Sequence, residues 1–248
     1  LIRISKAREN IAKVNKELQE TREELLQSER LAVLGQLNTV VSHEIRNPLG
    51  TISNALFMMS KALDQNDKKL YAKTLKLCER NVERCNRIIS ELLDFSKSNN
   101  LIKEKVFIDK WLEDVLDQAP ALKGFKVEKN FAAGIELEID SDRMQRAVDN
   151  VCLNASQAMT DTTQANPTLK VQTRLNNDRL EITFTDYGRG ISEQEMEKIF
   201  EPMFSTKNFG VGLGLPIIQN IMTDHGGGIE VVSRAGKGTT VTLWLLTP

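Results

Sequence analysis

The chain has 248 residues, 40% of them hydrophobic and 27% charged, with Lys+Arg 33 against Asp+Glu 34 for a formal net charge of −1. That is the balance of a globular protein with room for two domains, and it excludes collagen-like and disordered chains. It leaves no global field for nucleic acid or an anionic membrane surface, and no window nears the roughly 18 consecutive apolar residues of a membrane helix.

The sequence opens with Leu1 and enters a charged helical pattern at once, which reads as a piece of a longer protein. From Ile4 the apolar residues recur by sevens as Ile4, Ile11, Leu18 and Leu25, with Ala7 and Val14 offset. The offset positions turn polar at Thr21 and Ser28, so residues 1–30 read as a marginal coiled-coil connector. The period continues through Leu31, Leu34, Val41, Ile45, Ile52, Leu56, Met59 and Leu63 and stops at Asp64-Gln65-Asn66-Asp67. A second helical run carries Leu70, Leu75, Cys78, Val82, Cys85, Ile89 and Leu92 inward and ends near Ser96 to Asn100. Residues 31–99 are therefore expected to form an antiparallel helical hairpin. Two helices cannot enclose a core, so two hairpins are expected to pair as a four-helix bundle in a homodimer. Cys78 and Cys85 sit about 10 Å apart along one helix, too far to bridge. With Cys152 they make an odd set lacking Cys-x-x-Cys, which favours a reducing, cytosolic compartment.

After Asn100 the period changes from helical to two, in Ile135 to Ile139, Leu169 to Val171 and Leu180 to Phe184. Helical stretches are predicted over Trp111 to Gln118, Ser141 to Met159, Ser192 to Phe200 and Leu215 to Thr223, the third opened by a Ser192-x-x-Glu195 capping box. A hairpin of Gly228 to Arg234 and Thr239 to Leu246 closes the chain. The expected architecture is multidomain α and α/β, with the hairpin followed by an α/β sandwich over residues 100–248.

Four clusters in the second half carry chemistry together. Arg146, Asn150 and Asn154, four apart, line one helix face. Asp186-x-Gly188-x-Gly190 follows a strand directly. Phe200 to Phe204 leads to Lys207, and Gly210-x-Gly212-x-Gly214 precedes a helix with Pro216 in its first turn. Glycine-freed N–H groups at a helix start make a phosphate cradle. Carboxamide oxygens of Asn150 and Asn154 suit Mg²⁺. Asp186, acceptor-only when ionised, suits the amino group of adenine and repels the carbonyl of guanine. Each cluster alone is more often a turn or a solvated face, and their order is what changes the odds.

In the first half, His43 and Asn47 share one helix face while Ile45, Leu49 and Ile52 face the core, so the histidine should be exposed. Pro48 removes a helical hydrogen bond one turn on, which predicts a bend. The other histidine, His225, precedes three glycines and reads as a helix C-cap.

These strings resemble, in order, the five boxes of the bacterial sensor histidine kinases of two-component systems. His43-Glu-Ile-Arg-Asn47-Pro48 is similar to the phosphoacceptor box, Asn150 to Asn154 to the Asn box, and Asp186 to Gly190 to the first glycine box. Phe200 to Phe204 resembles the Phe box and Gly210 to Gly214 the second glycine box. The resemblance implies an ATP-binding domain of the gyrase and histidine-kinase type with bound Mg²⁺. It implies phosphoryl transfer from ATP to His43 and then to an Asp of a separate response regulator. It further implies Glu44 as a base or orienting carboxylate, Asn47 as the holder of a water that hydrolyses the regulator's phospho-Asp, and Lys207 as the lid's phosphate contact. An upstream sensor domain in the same chain, with a membrane anchor there and this portion in the cytoplasm, belongs to the same expectation. Two rivals stand beside it. An ATPase clamp of the gyrase or mismatch-repair type carries Glu where Asn150 stands. A nucleotide-binding dimeric scaffold would do no catalysis.

Overall fold

The computed structural model describes residues 13–14, 21, 28, 35, 38–96, 101–160, 167–205 and 212–247. Of the connector over 1–30 only 13, 14, 21 and 28 are described, each helical, so its seam lies outside the described residues. The chain divides into two compact units, one ending at Asn99 and the other beginning at Asn100. Among the described residues no helix is long and apolar enough to cross a membrane.

The first unit is a helical hairpin of α1 (Asn38–Asp64) and α2 (Lys68–Ser96). Asn66 turns the chain in the left-handed region, at φ 51°, which asparagine tolerates better than most residues. Asp67 then caps α2, its Oδ1 accepting from the N–H groups of Lys69 and Leu70 at 3.1 and 3.0 Å. α1 runs unbroken through Pro48. That proline is buried, and the Thr51 hydroxyl donates to the carbonyl of Asn47 at 3.1 Å.

The seam between the helices is narrower than the apolar pattern. Pro48, Ala55 and Ala62 are buried from α1, and Thr74, Cys78 and Ile88 from α2. Small alanines let the helices approach closely. Several residues expected inward stay on the outside of the single hairpin: Leu56 and Leu63 on α1, and Leu75, Val82 and Ile89 on α2. Leu49, also expected on the core side, joins them. They repeat by sevens beside the seam, so each helix carries a second apolar stripe that its own partner helix does not cover.

The second unit is built on a five-stranded sheet in the order β2-β4-β5-β7-β6, from β2 (Lys126–Ala132), β4 (Thr168–Asn176), β5 (Arg179–Asp186), β6 (Gly228–Arg234) and β7 (Gly238–Leu246). β2 pairs parallel with β4, and every other neighbour is antiparallel. Helices α3 (Ile108–Gln118), α4 (Ser141–Thr160) and α6 (Gly214–Asp224) supply the apolar layer. Leu112, Met144, Val148, Met159, Ile218 and Met222 are buried from the helices, with Leu169, Leu180, Phe184 and Leu243 from the sheet. The opposite face is polar. There Thr183 meets Thr242 and Thr185 meets Thr240 through their hydroxyls at 3.3 and 3.2 Å, and Arg179 lies over the Trp244 ring.

Two expectations change. The segment Ile135 to Ile139 does not join the main sheet: β3 (Glu136–Ile139) pairs with β1 (Glu104–Phe107) as a separate two-stranded ribbon. The helix expected over Ser192 to Phe200 is one α-turn, α5 (Glu193–Met196). Its capping box forms, since Glu195 accepts from the Ser192 N–H at 2.8 Å and the Ser192 hydroxyl accepts from the Glu195 N–H at 3.3 Å. Beyond Met196 the chain continues as tight turns through Glu201 and Phe204.

Candidate functional site

His43 and Asn47 both lie exposed on α1, one helical turn apart. Glu44 is only half-exposed, because it points toward α2 rather than with its neighbour. There the Arg84 guanidinium donates to its Oε2 at 2.8 Å, an ion pair between the two helices. Nothing in the linear pattern singles out Arg84. The only signal is a cation falling among the inward positions Asn81, Cys85 and Ile88.

In the second unit, α4 is the floor on which the other clusters assemble. Arg146, Asn150 and Asn154 are half-buried along one face. Asn150 donates its amide nitrogen to the carbonyl of Arg146 at 2.9 Å, which turns its oxygen outward. That oxygen faces the start of α6: a Cβ built on Gly214 would lie 3.3 Å from Asn150 Oδ1 and 3.6 Å from Asn154 Nδ2. The carboxamides and the glycine string, 60 positions apart in sequence, therefore meet. No side chain caps the N-terminus of α6. Its first N–H groups carry the positive end of the helix dipole toward the same face.

Asp186 ends β5 and is 6% exposed. Its Oδ1 accepts from the N–H of Gly188 at 2.8 Å and of Thr239 at 3.3 Å, so a turn bond and the neighbouring strand β7 together fix the carboxylate. Gly188 must be small: a Cβ there would stand 2.6 Å from the backbone carbonyl of Ala158, in the last turns of α4. The Arg189 N–H donates to that same carbonyl at 3.2 Å. Gly190, at φ 68°, brings Arg189 against the β6–β7 turn, where Gly236 N–H donates to the Arg189 carbonyl.

Gly212 has φ 75°, and a Cβ on it would strike the backbone of Met203 and Phe204 at 2.6 Å. Met203 N–H donates to the Gly212 carbonyl at 3.0 Å, and Met203 itself sits at φ 66°. The aromatic cluster and the second glycine cluster are thus laced backbone to backbone. Phe200 and Phe204 are half-buried. Lys207 and Gly210 lie outside the described residues.

His225 does cap α6, its N–H donating to the carbonyls of Ile221 and Thr223. It does more than the sequence suggests. Its Nδ1 lies 2.8 Å from the Ile221 carbonyl and its Nε2 accepts from the Asp140 N–H at 3.0 Å. The adjacent Asp224 pairs with Arg143 at 3.0 Å. Burial pushes the His225 pKa below its usual value, and nearby Lys103 adds to this against the opposing Ile221 bond. Cys152, inside α4, is driven up to about 12 by burial with Asp149 beside it, so it is an inert thiol.

Among the described residues no group of three or more His, Cys, Asp or Glu could hold a metal. A divalent cation at this face would depend on neutral oxygens and phosphate. The outward Asn150 oxygen fits a hard ion of that kind.

Residues 33–101 match the model of the His Kinase A (phospho-acceptor) domain, and residues 139–248 match that of the histidine kinase-, DNA gyrase B- and HSP90-like ATPase. The sensor histidine kinase ZraS of Escherichia coli (strain K12) is 33% identical over 227 residues, covering 90% of this chain and 48% of that protein. The signal transduction histidine-protein kinase AtoS of the same organism is 30% identical over 232 residues, covering 91% of this chain and 37% of AtoS. The chain thus spans less than half the length of these relatives. Among solved structures, histidine kinase ThkA in complex with response regulator protein TrrA superposes with a TM-score of 0.76 at 26% identity, covering 94% of this chain and 67% of that one.

Proposed function

The chain belongs to the sensor histidine kinases of two-component systems, carrying their phosphoacceptor and ATPase-type domains, and from that premise we propose that it phosphorylates His43 with ATP and passes the phosphoryl group to an aspartate of a response regulator. The observation that carries the reading is the exposed His43 on the hairpin, in a chain whose other unit gathers Asn150, Asn154 and Gly214 on one face.

In the first step one ring nitrogen of His43 attacks the γ-phosphorus in line; the new N–P bond forms as the bond to the ADP oxygen breaks. The proton on the other ring nitrogen becomes acidic, and Glu44 is the nearest carboxylate in sequence to orient or accept it. Asn47, a turn away, holds the water that hydrolyses the regulator's phospho-aspartate. In the nucleotide unit Asp186 accepts the adenine amino group, while Gly188 and Gly190 shape its turn. Gly210, Gly212 and Gly214 with the α6 N-terminus cradle phosphate, and Arg146 and Lys207 supply cations. Asn150 and Asn154 would hold Mg²⁺, which neutralises phosphate charge when bound.

The uncovered stripes of Leu49, Leu56 and Leu63 and of Leu75, Val82 and Ile89 support a homodimer in which two hairpins form a four-helix bundle. The greater length of the relatives leaves room for an upstream sensory region with a membrane anchor, and this portion is then the cytoplasmic output end. An ATPase clamp fits less well. Asn150 cannot deprotonate water, and such a clamp has no use for His43. Incubation with Mg-ATP tests the reading: acid-labile, base-stable phosphate on the protein supports it, and nucleotide hydrolysis without any protein-bound phosphate overturns it.

A further inference from the structure

We propose that Arg84 restrains the phosphoacceptor site, holding the Glu44 carboxylate against α2 and away from His43 until the two helices shift. The inference rests on the reading of His43 and Glu44 above and adds how that site is regulated.

Adjacent residues on a helix project about 100° apart, so His43 and Glu44 cannot face the same way. Glu44 shares its direction with Pro48, Ala55 and Ala62, which are the buried positions of α1. Arg84 stands four before the buried Ile88 on α2 and reaches across at 2.8 Å, with side-chain exposures of 19% for Arg84 and 28% for Glu44. The pair is a charge-assisted bridge between helices 40 positions apart in sequence, unlike an exposed pair along one helix. It sits beside the phosphoacceptor residue. A carboxylate held there has its Oε2 engaged and lies on the seam side of α1.

To orient the imidazole, the Glu44 side chain must leave Arg84 and swing outward around the helix. The two arrangements exclude one another, so the site has a closed form, Glu44 on Arg84, and an open form, Glu44 on His43. Sliding or rotation of α1 against α2 lengthens the bridge and favours the open form. Arg84 therefore couples the relative position of the two helices to the chemistry of a residue it does not touch. It is a positioning residue. The bridge is partly exposed, so its loss should cost the fold little.

The test uses the whole chain and four variants: Arg84→Gln, Arg84→Lys, Glu44→Gln and the Arg84→Gln/Glu44→Gln double. Initial rates of histidine phosphorylation are measured across ATP concentrations. Arg84→Gln should raise kcat about fivefold, the size expected for releasing a partly exposed ion pair, with KM for ATP unchanged. Arg84→Lys, which keeps the charge without the fork, should stay near the parent rate and answers the case in which Gln fails to fold. In the Glu44→Gln background the Arg84→Gln change should have no effect, because a residue acting through Glu44 cannot act without it. A slower or unchanged Arg84→Gln, a rate in Arg84→Lys that departs from the parent as far as Gln does, or an equal gain in the Glu44→Gln background overturns the restraint alone. Full activity in Glu44→Gln overturns the assignment of Glu44 on which the restraint depends.

Discussion

The backbone N–H of Asp140 donates to Nε2 of His225 at 3.0 Å, joining the start of α4 to the end of α6 through a histidine that must be neutral to accept it. Both ring nitrogens are engaged, since Nδ1 faces the Ile221 carbonyl at 2.8 Å. The same two helices also bring Asn150 and Gly214 together, at the start of α6.

A pH dependence follows. Burial, helped by Lys103 and opposed by the Ile221 bond and the nearby Asp140 and Asp224, holds the folded pKa below the usual 6.5. The unfolded chain therefore binds the proton first, and stability is full above pH 6.5 and falls as the pH drops toward the folded pKa. Both tryptophans, Trp111 and Trp244, lie in the second unit, so their fluorescence in urea reports it. We expect the midpoint to decline as the pH drops below 6.5 and the decline to vanish in His225→Gln. An equal slope in both proteins refutes the neutral clamp.

Gly214→Ala separates binding from folding. Alanine is worth up to about 1 kcal/mol over glycine within a helix, so the melting temperature should hold or rise. The added methyl enters the space 3.3 Å from Asn150 Oδ1, and Mg-ATP affinity should fall about tenfold. Calorimetry and thermal unfolding on the one variant measure both, and unchanged affinity would remove Gly214 from the cradle.

Asp186→Asn keeps an Oδ1 for the N–H groups of Gly188 and Thr239, so the turn should survive. The amide can also donate to the carbonyl of guanine. ATP affinity should drop by about 1–3 kcal/mol and the preference for ATP over GTP should shrink. An unaltered ATP/GTP ratio would detach Asp186 from the base.

Asn47→Ala should uncouple a pair of activities that share one helix face. The Thr51 hydroxyl bonds to the backbone carbonyl of Asn47, which alanine retains, and α1 is continuous there. Histidine phosphorylation should change little while dephosphorylation of a regulator's phospho-aspartate falls at least about tenfold. Parallel loss of both would mean that Asn47 only serves the backbone before Pro48.

The elements most legible in the sequence are those with a strong period. The sevenfold pattern stopping at Asp64 matches the end of α1, and Gly228 to Arg234 agrees with β6 residue for residue. β2 is invisible there because an edge strand with only Val127 and Phe131 half-buried, four apart, carries no alternation. β3 alternates correctly, but alternation does not name a partner, and only the fold reveals that it pairs with β1. The helix after Ser192 reads too long because Met196, Ile199 and Phe200, three and four apart, mimic a helical face. Among site residues, every box is readable as a string. Arg84 and the second bond of His225 are not, since each depends on a partner 40 or 85 positions away.

The most direct measurement is mapping of the phosphoryl group by mass spectrometry under alkaline conditions after incubation with Mg-ATP, on the parent and on His43→Gln. The mutated residue is exposed and lies in a different unit from the nucleotide cluster, so the variant should bind ATP as the parent does. We expect the phosphate on the peptide containing His43 in the parent and none on the variant. Phosphate persisting on the variant, or mapped to His225, would contradict the assignment of His43 as the acceptor.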